Sequence, residues 1–443
     1  MRLFKDKFKY MAMALICGAL TLTSCSDDDN SSSNTTSGPV SAKIAVFSDP
    51  HYFASSLGTS GAAFNEYVAG DRKLIAESQE ISKSTISALL NENSNIVLVP
   101  GDLTKDGEKQ CHQEFAALLK LLENKGKKVY VIPGNHDVAN PDAYSFSGDS
   151  KTKIPSVSAD EFATIYKDYG YGEAIAKDPN SLSYVAEPVN GMWLIAMDAC
   201  RYKENKTSPV TGGRFSDETL TWVKTQLAKA KELNKTVIGM MHHGLVEHFS
   251  GQKTNPISSD YVVDNWQTIA TDFANAGMKA VFTGHYHAND IASFTSGNNT
   301  IYDIETGSLV TSPCPYRIID FSNNVMNIST KYVTSINYNT GGKTFTQYAA
   351  DFLYTGMVDL VTYMLTKQYG VSADIAKQVA PIAAAAFVAH YKGDESMPAV
   401  YAPYIESFLK SSDASTQYLG VTAKALFTDL NPSDNNVSLT FTK

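Results

Sequence analysis

Five short segments hold residue types that ligate divalent metals, and each follows an apolar run: Asp49-Pro50-His51, Gly101-Asp102, Gly134-Asn135-His136-Asp137, His242-His243 and Gly284-His285-Tyr286-His287. Carboxylates bridge cations and supply charge, imidazoles fix geometry, and the Asn135 amide oxygen is a neutral ligand. Six of the nine histidines lie in these segments, a concentration that scattered core or surface histidines would not give. Two cations about 3.5 to 4 Å apart hold and acidify a bridging hydroxide and take up charge on phosphoryl oxygens. The chemistry this suits is in-line attack on phosphorus, which needs mainly positioning and electrostatics.

Such side chains converge only if their loops do. The preceding runs read as strands at Ile44 to Phe47, Ile96 to Val99, Val129 to Ile132, Trp193 to Ala196, Val237 to Met241 and Ala280 to Thr283. Between them the periodicity predicts helices at Lys73 to Asn91, Lys109 to Asn124, Ala159 to Asp168, Ser216 to Leu233 and Trp266 to Ala276. Alternating strands and helices indicate a largely parallel, helix-covered sheet core. Ligand-bearing loops then sit at the carboxyl ends of the strands. Alternation at Tyr316 to Phe321 and Val325 to Tyr332 predicts antiparallel strands. After Gly341-Gly342 the period turns helical for about a hundred residues, and Val437 to Phe441 alternates like an edge strand returning to the main domain.

The composition, 43% hydrophobic and 19% charged, is that of a globular protein. A net charge of -9 disfavours a nucleic-acid-coating role. The N-terminus carries Arg2, Lys5, Lys7 and Lys9, an apolar run from Met11 to Leu22, then Leu22-Thr23-Ser24-Cys25. That run is too short to span a bilayer and fits a secretory signal. Leu-Thr-Ser-Cys resembles a bacterial lipoprotein cleavage box, which makes Cys25 the acylated first residue of the mature chain. The following Ser26-Asp27-Asp28-Asp29 resembles the surface-export signal of Bacteroidota lipoproteins. The expected location is the cell envelope, as an outer-membrane lipoprotein anchored by lipid and displayed at the surface. Residues 1–24 read as the signal, 25–42 as an acylated flexible tether, 43–340 as the catalytic domain and 341–443 as a mainly helical region. Cys111, Cys200 and Cys314 are an odd set without metal-ligand spacing and read as small buried hydrophobes, with one disulfide the alternative.

The order and content of the five segments resemble the calcineurin-like metallophosphoesterase family across residues 43 to about 320. The resemblance implies an α/β sandwich of two mixed β-sheets flanked by helices, here with a C-terminal helical appendix. It implies two divalent metal ions, manganese, zinc, iron, cobalt or nickel. Asp49, His51 and His287 would hold one and Asn135, His242 and His285 the other, with Asp102 bridging. His136 would be a non-ligand catalytic residue serving the leaving group, and Asp137 would orient neighbouring groups. The expected reaction is hydrolysis of phosphate esters, diesters favoured, with a phosphomonoesterase or a non-catalytic surface binding lipoprotein as alternatives. Arg201 and His243 are candidate substrate contacts, with a solvated loop arginine the alternative for Arg201 and a ligand in place of His242 the alternative for His243, while His248 and His390 read as non-ligands. Some relatives carry an Asp three residues after the bridging Asp that orients the catalytic His. Here that position is Lys105, with Asp106 one further. Purple acid phosphatases, which place an iron-binding Tyr there and lack the His of the first segment, fit less well.

Overall fold

The strand-forming runs are buried on both faces: every residue of Ile96–Val99 and of Met192–Met197 is buried, which is why they read as continuous apolar stretches. The computed structural model describes residues 40–441 apart from 369 and 413. The signal segment, Cys25 and most of the tether lie outside the described residues.

In chain order the first strands are β1 (Ser41–Val46), β2 (Ile96–Val99) and β3 (Lys128–Val131), then the hairpin β4 (Tyr144–Ser147) and β5 (Ser150–Lys153). Next come β6 (Ala176–Lys177), β7 (Tyr184–Val189), β8 (Met192–Met197), β9 (Thr236–Met241) and β10 (Met278–Thr283). The last are β11 (Ile291–Ser296), β12 (Asn299–Glu305), β13 (Pro315–Ser322), β14 (Val325–Tyr332) and β15 (Asn436–Thr440). One mixed sheet has the order β15-β14-β13-β1-β2-β3 and the other β11-β12-β10-β9-β8-β7-β6. The parallel strands β1, β2 and β3 carry the first three motifs, and parallel β9 and β10 carry the other two.

The helices are α1 (Ala62–Ala69), α2 (Ser78–Asn91), α3 (Lys109–Asn124), α4 (Ala159–Ile165), α5 (Asp217–Glu232) and α6 (Trp266–Asn275), followed by α7 (Phe345–Tyr363), α8 (Ala373–Lys392), α9 (Ala402–Leu409) and α10 (Ala414–Leu426). Local chemistry sets several starts. Ser158 and Glu161 form a reciprocal capping box at α4, and the Ser216 side chain accepts from the Thr219 amide at α5, with Asp217 and Glu218 at its positive end.

Alternate residues of the second sheet serve two cores. Leu194, Ile238 and Phe282 face the first sheet, whereas Ile195, Val237 and Val281 pack under α5 and α6. A third core joins α7, α8 and α10 to Phe249 and Tyr286 of the loops that follow β9 and β10. The final strand β15 pairs antiparallel with β14 at the edge of the first sheet. One expected helix is shorter than its periodicity suggests. It begins at Ser78 rather than Lys73, because the Leu74 amide bonds to the Val310 carbonyl at 2.8 Å, an acceptor that sequence periodicity does not reveal.

Candidate metal centre

The five motifs meet where the carboxyl ends of both sheets abut. The His285 amide donates to the Asp49 carboxylate at 3.1 to 3.2 Å, and the Gly284 amide to the His242 carbonyl at 3.0 Å. The chain turns abruptly here. Asp49, His51, Asp102, His285 and His287 all have φ between 37° and 76°, a region costly for residues with a Cβ. Five such residues, all candidate ligands, mark a backbone held in tension to aim side chains inward.

Two triads result. Asp49, His51 and His287 bring one donor atom each within 4.8 Å of one another, and so do Asp102, His242 and His285. The ring nitrogens Nε2 of His51 and His287 face each other at 3.3 Å. Asp102 Oδ2 lies 3.6 Å from His51 Nε2 and 3.3 Å from His242 Nε2, so one carboxylate reaches both sets. The Asn135 amide oxygen is 3.1 Å from His242 Nε2. Burial holds His51 and His285 well below the usual imidazole range, leaving them as neutral bases. Burial alone would push Asp102 up, but His242, His136 and His51 outweigh it and keep the carboxyl well below the usual range. His242 is driven down by burial and raised by Asp102, with a net rise to about 9. Buried His285 Nε2 has no hydrogen-bond partner. Carboxylate, amide and imidazole atoms converging in this way fit divalent cations with oxygen and nitrogen ligands.

Room for these carboxylates is what two motif glycines supply. A Cβ at Gly134 would fall 2.1 Å from Asp102 Oδ1, and one at Gly284 would fall 2.2 Å from Asp49 Oδ2. At neither position is φ positive, so the need is space rather than a turn.

His136 is part-exposed beside the triads, its ring edge-on to His51. Its amide donates to Asp102 Oδ1 at 2.9 Å and its Nδ1 lies 2.8 Å from Asp106 Oδ1. Partial burial and Lys73 push His136 down, but Asp102 and Asp106 raise it overall. Lys105 does not point into the cleft. It is buried, ion-paired with Asp106 and, at 3.0 Å, with Glu108, and lies over the Tyr67 ring. Asp137 accepts from the amides of Gly134, Leu103 and Thr104 at 2.8 to 3.0 Å, tying the second motif to the third. Behind them His112 bridges the Asp137 carbonyl and the Tyr166 hydroxyl, both at 2.9 Å.

The cleft over the triads is a cavity of about 220 Å³ whose walls include Arg72, Lys73, His136, Tyr261, Tyr286 and Tyr391. Arg72 and Lys73 belong to no motif: Lys73 falls at the start of an expected helix and Arg72 just before it, so neither is legible as a cleft residue. Arg201 is engaged with Glu204 at 2.5 Å and is not among the cleft-lining residues. His243 points Nε2 at the Thr211 carbonyl, 2.9 Å away, and meets the His285 ring edge-on. His248 and His390 lie in a separate buried cluster with Asp290, Asp303 and Glu395. Cys111, Cys200 and Cys314 are all free thiols.

Residues 42–289 match the family model for calcineurin-like phosphoesterase. No curated protein sequence matches the chain. Among solved structures it is similar to a dimetal phosphatase from Danio rerio at 14% identity, over 67% of this chain and 97% of that one, with TM-score 0.47. It is similar to a purple acid phosphatase from yellow lupin at 12% identity, covering 67% and 52%, TM-score 0.40. A third is a NAD nucleotidase from Haemophilus influenzae at 14% identity, covering 72% and 56%, TM-score 0.35.

Proposed function

Because the chain belongs to the calcineurin-like phosphoesterase family and is therefore a metal-dependent phosphoester hydrolase, we propose that it is a membrane-anchored enzyme preferring phosphodiesters. Asp49, His51 and His287 would hold one divalent ion, Asn135, His242 and His285 would hold the other, and Asp102 would serve both. The observation that carries this assignment is the position of Asp102, whose Oδ2 lies within 3.6 Å of a ring nitrogen from each set. When bound, such a pair of ions acidifies water toward neutrality and stabilises charge on the phosphoryl oxygens.

The chain's own groups supply the rest. The attacking water releases one proton to solvent and its oxygen bonds to phosphorus as the ester P–O bond breaks, while the departing oxygen takes a proton from His136, which solvent then reprotonates. Asp106 fixes the orientation of that imidazole by accepting from Nδ1, which leaves Nε2 for the leaving group. Lys73 and Arg72 line the same cleft and attract the ester's negative charge. Lys73 is already paired with Asp71 at 3.2 Å, so positive charge beyond the metals is modest. That balance supports a diester monoanion over a monoester dianion.

The basic, apolar and Leu22-Thr23-Ser24-Cys25 segments support acylation at Cys25 and residence in the outer membrane, with the tether carrying the catalytic domain clear of the bilayer. The test of the catalytic reading is chelated protein resupplied with single metals, assayed on bis(4-nitrophenyl) phosphate and 4-nitrophenyl phosphate. Chelation should abolish turnover, about two equivalents of one of manganese, zinc, iron, cobalt or nickel should restore it, and the diester should show the higher kcat/KM. Full activity after chelation would sink the two-metal reading, and faster monoester turnover would favour the phosphomonoesterase.

A further inference from the structure

Beside the polar cleft lies a second, larger cavity of about 430 Å³, enclosed by helices of the C-terminal region. Its walls are apolar: Met357, Leu360 and Val361 of α7, Phe387 of α8, and Leu419 and Leu426 of α10. Protein interiors rarely hold voids larger than a water molecule, and the volume is within the range of cavities that take small molecules. The two cavities share walls. Arg72, Tyr261, Tyr286 and Tyr391 line both, and Tyr286 stands between the candidate ligands His285 and His287. Among the described residues Arg72 is the one charged side chain lining the apolar cavity, and it sits at this junction. Its stem runs along α7, where a Cβ at Gly356 would come 3.4 Å from its Cγ.

We propose that the substrate is an amphiphilic phosphate ester. Its phosphoryl group lies over the two triads within reach of Arg72 and Lys73, and one hydrocarbon chain runs past the three tyrosines into the helical cavity. This rests on the hydrolase reading above and names the substrate class of that site. Three observations favour a chain-bearing ester over a compact polar one. The space adjoining the metal cleft is walled by aliphatic and aromatic side chains, which offer a sugar or base few hydrogen bonds. The tyrosines at the junction combine an apolar ring with a polar edge, as a headgroup-to-chain boundary requires. Outside the cavity the same region exposes large apolar side chains, with Tyr363, Val400, Tyr404 and Val421 each at least half exposed, the kind of patch that meets another apolar surface. Ile257 and Tyr418 line the cavity and are each more than a third exposed, marking where a chain would enter.

The experiment uses the metal-reconstituted full chain and 4-nitrophenyl alkyl phosphates with methyl, butyl, hexyl and decyl groups, each kept below its micelle concentration. Burial of a methylene is worth about a fourfold gain in kcat/KM, so the series should rise steeply with length until the cavity is filled. Leu360→Trp, which occupies the cavity, should lower the decyl-to-methyl ratio at least tenfold. The length series on the unaltered protein decides the matter even if that variant does not fold. Equal kcat/KM for methyl and decyl esters overturns the chain-binding assignment while leaving the hydrolase reading intact. Turnover of none of the esters overturns the hydrolase reading and this proposal with it.

Discussion

Asp106 Oδ1 lies 2.8 Å from Nδ1 of His136, one residue beyond the position where some relatives keep a carboxylate for the same purpose. Asp106 is itself held by Lys105 and faces the Tyr67 hydroxyl at 3.4 Å. The substitution at 105 therefore does not deprive His136 of an orienting partner. It adds a buried cation that fixes the partner in place: burial pushes Asp106 up, but Lys105 and His136 outweigh it and hold the carboxyl at about 2.

Asp106→Asn should lower kcat about 10- to 100-fold, the usual range for losing an orienting partner, with little change in metal content. The loss should be larger for an alkoxide leaving group, which needs a proton, than for 4-nitrophenolate, which does not. Equal loss for both leaving groups would mean that Asp106 acts only on the fold, and unchanged kcat would remove it from the mechanism.

Asp102 belongs to one triad and lies 3.6 Å from His51 of the other, so Asp102→Ala should remove both metals together. Asn135 contributes to one set, and Asn135→Ala should leave about one equivalent bound. Metal content per chain, read by elemental analysis beside turnover, checks both. Hydrolysis should be abolished in each variant, and full activity in either would refute the ligand assignment.

Gly284→Ala is a test of space. The new methyl would fall 2.2 Å from Asp49 Oδ2 and 2.1 Å from Ser48 Oγ, so the carboxylate must move from its ligand position. Metal affinity should drop at least tenfold and thermal stability should fall by about 1 to 3 kcal/mol, the range for overpacking. Metal titration and calorimetry read the two effects separately.

The candidate ligands were legible because each follows a buried strand, and a run such as Ile96–Val99 has no other good use than a central strand. The neighbours were less so. Lys73 was assigned to a helix because periodicity cannot anticipate that the Leu74 amide is taken by Val310, 236 residues away. Strand β7 contains Glu187-Pro188, which breaks the pattern of a strand in sequence while suiting one with an irregular register. The role of Asp106 was hidden by the spacing, since loop geometry rather than residue count decides which carboxylate meets His136. The helical cavity was the least visible feature. Met357, Leu360 and Val361 have the same periodicity whether they pack against protein or leave a hollow, and only the placement of the three helices α7, α8 and α10 distinguishes the two.

Cys25 and the segments around it make a prediction independent of catalysis. Expressed in a bacterium that processes lipoproteins, the wild type should partition with membranes and the Cys25→Ser variant should be released into the soluble fraction with unchanged kcat on a water-soluble ester. Detergent phase partition measures this directly. Membrane retention of the variant would refute acylation at Cys25.

His112 sets an acid limit on the loop that carries Asn135 and His136. Burial lowers its imidazole to about 4, with a small opposing contribution from the Asp137 carbonyl. The neutral ring suits its surroundings, with Nε2–H donating to that carbonyl and Nδ1 accepting from Tyr166. The folded state thus resists a proton that the unfolded chain accepts near pH 6.5. The stability from keeping His112 neutral is fully present above the unfolded value. It is lost as pH falls through the window from about 6.5 to about 4, below which both states are protonated. At pH 5 the linkage amounts to about 2 kcal/mol relative to pH 7.5. His112→Gln keeps a donor and an acceptor but cannot titrate. Its stability should therefore change less between pH 7.5 and pH 5 than that of the wild type, by about that amount, when both are unfolded in urea. Parallel pH profiles for the two proteins would show that acid sensitivity arises elsewhere in the fold.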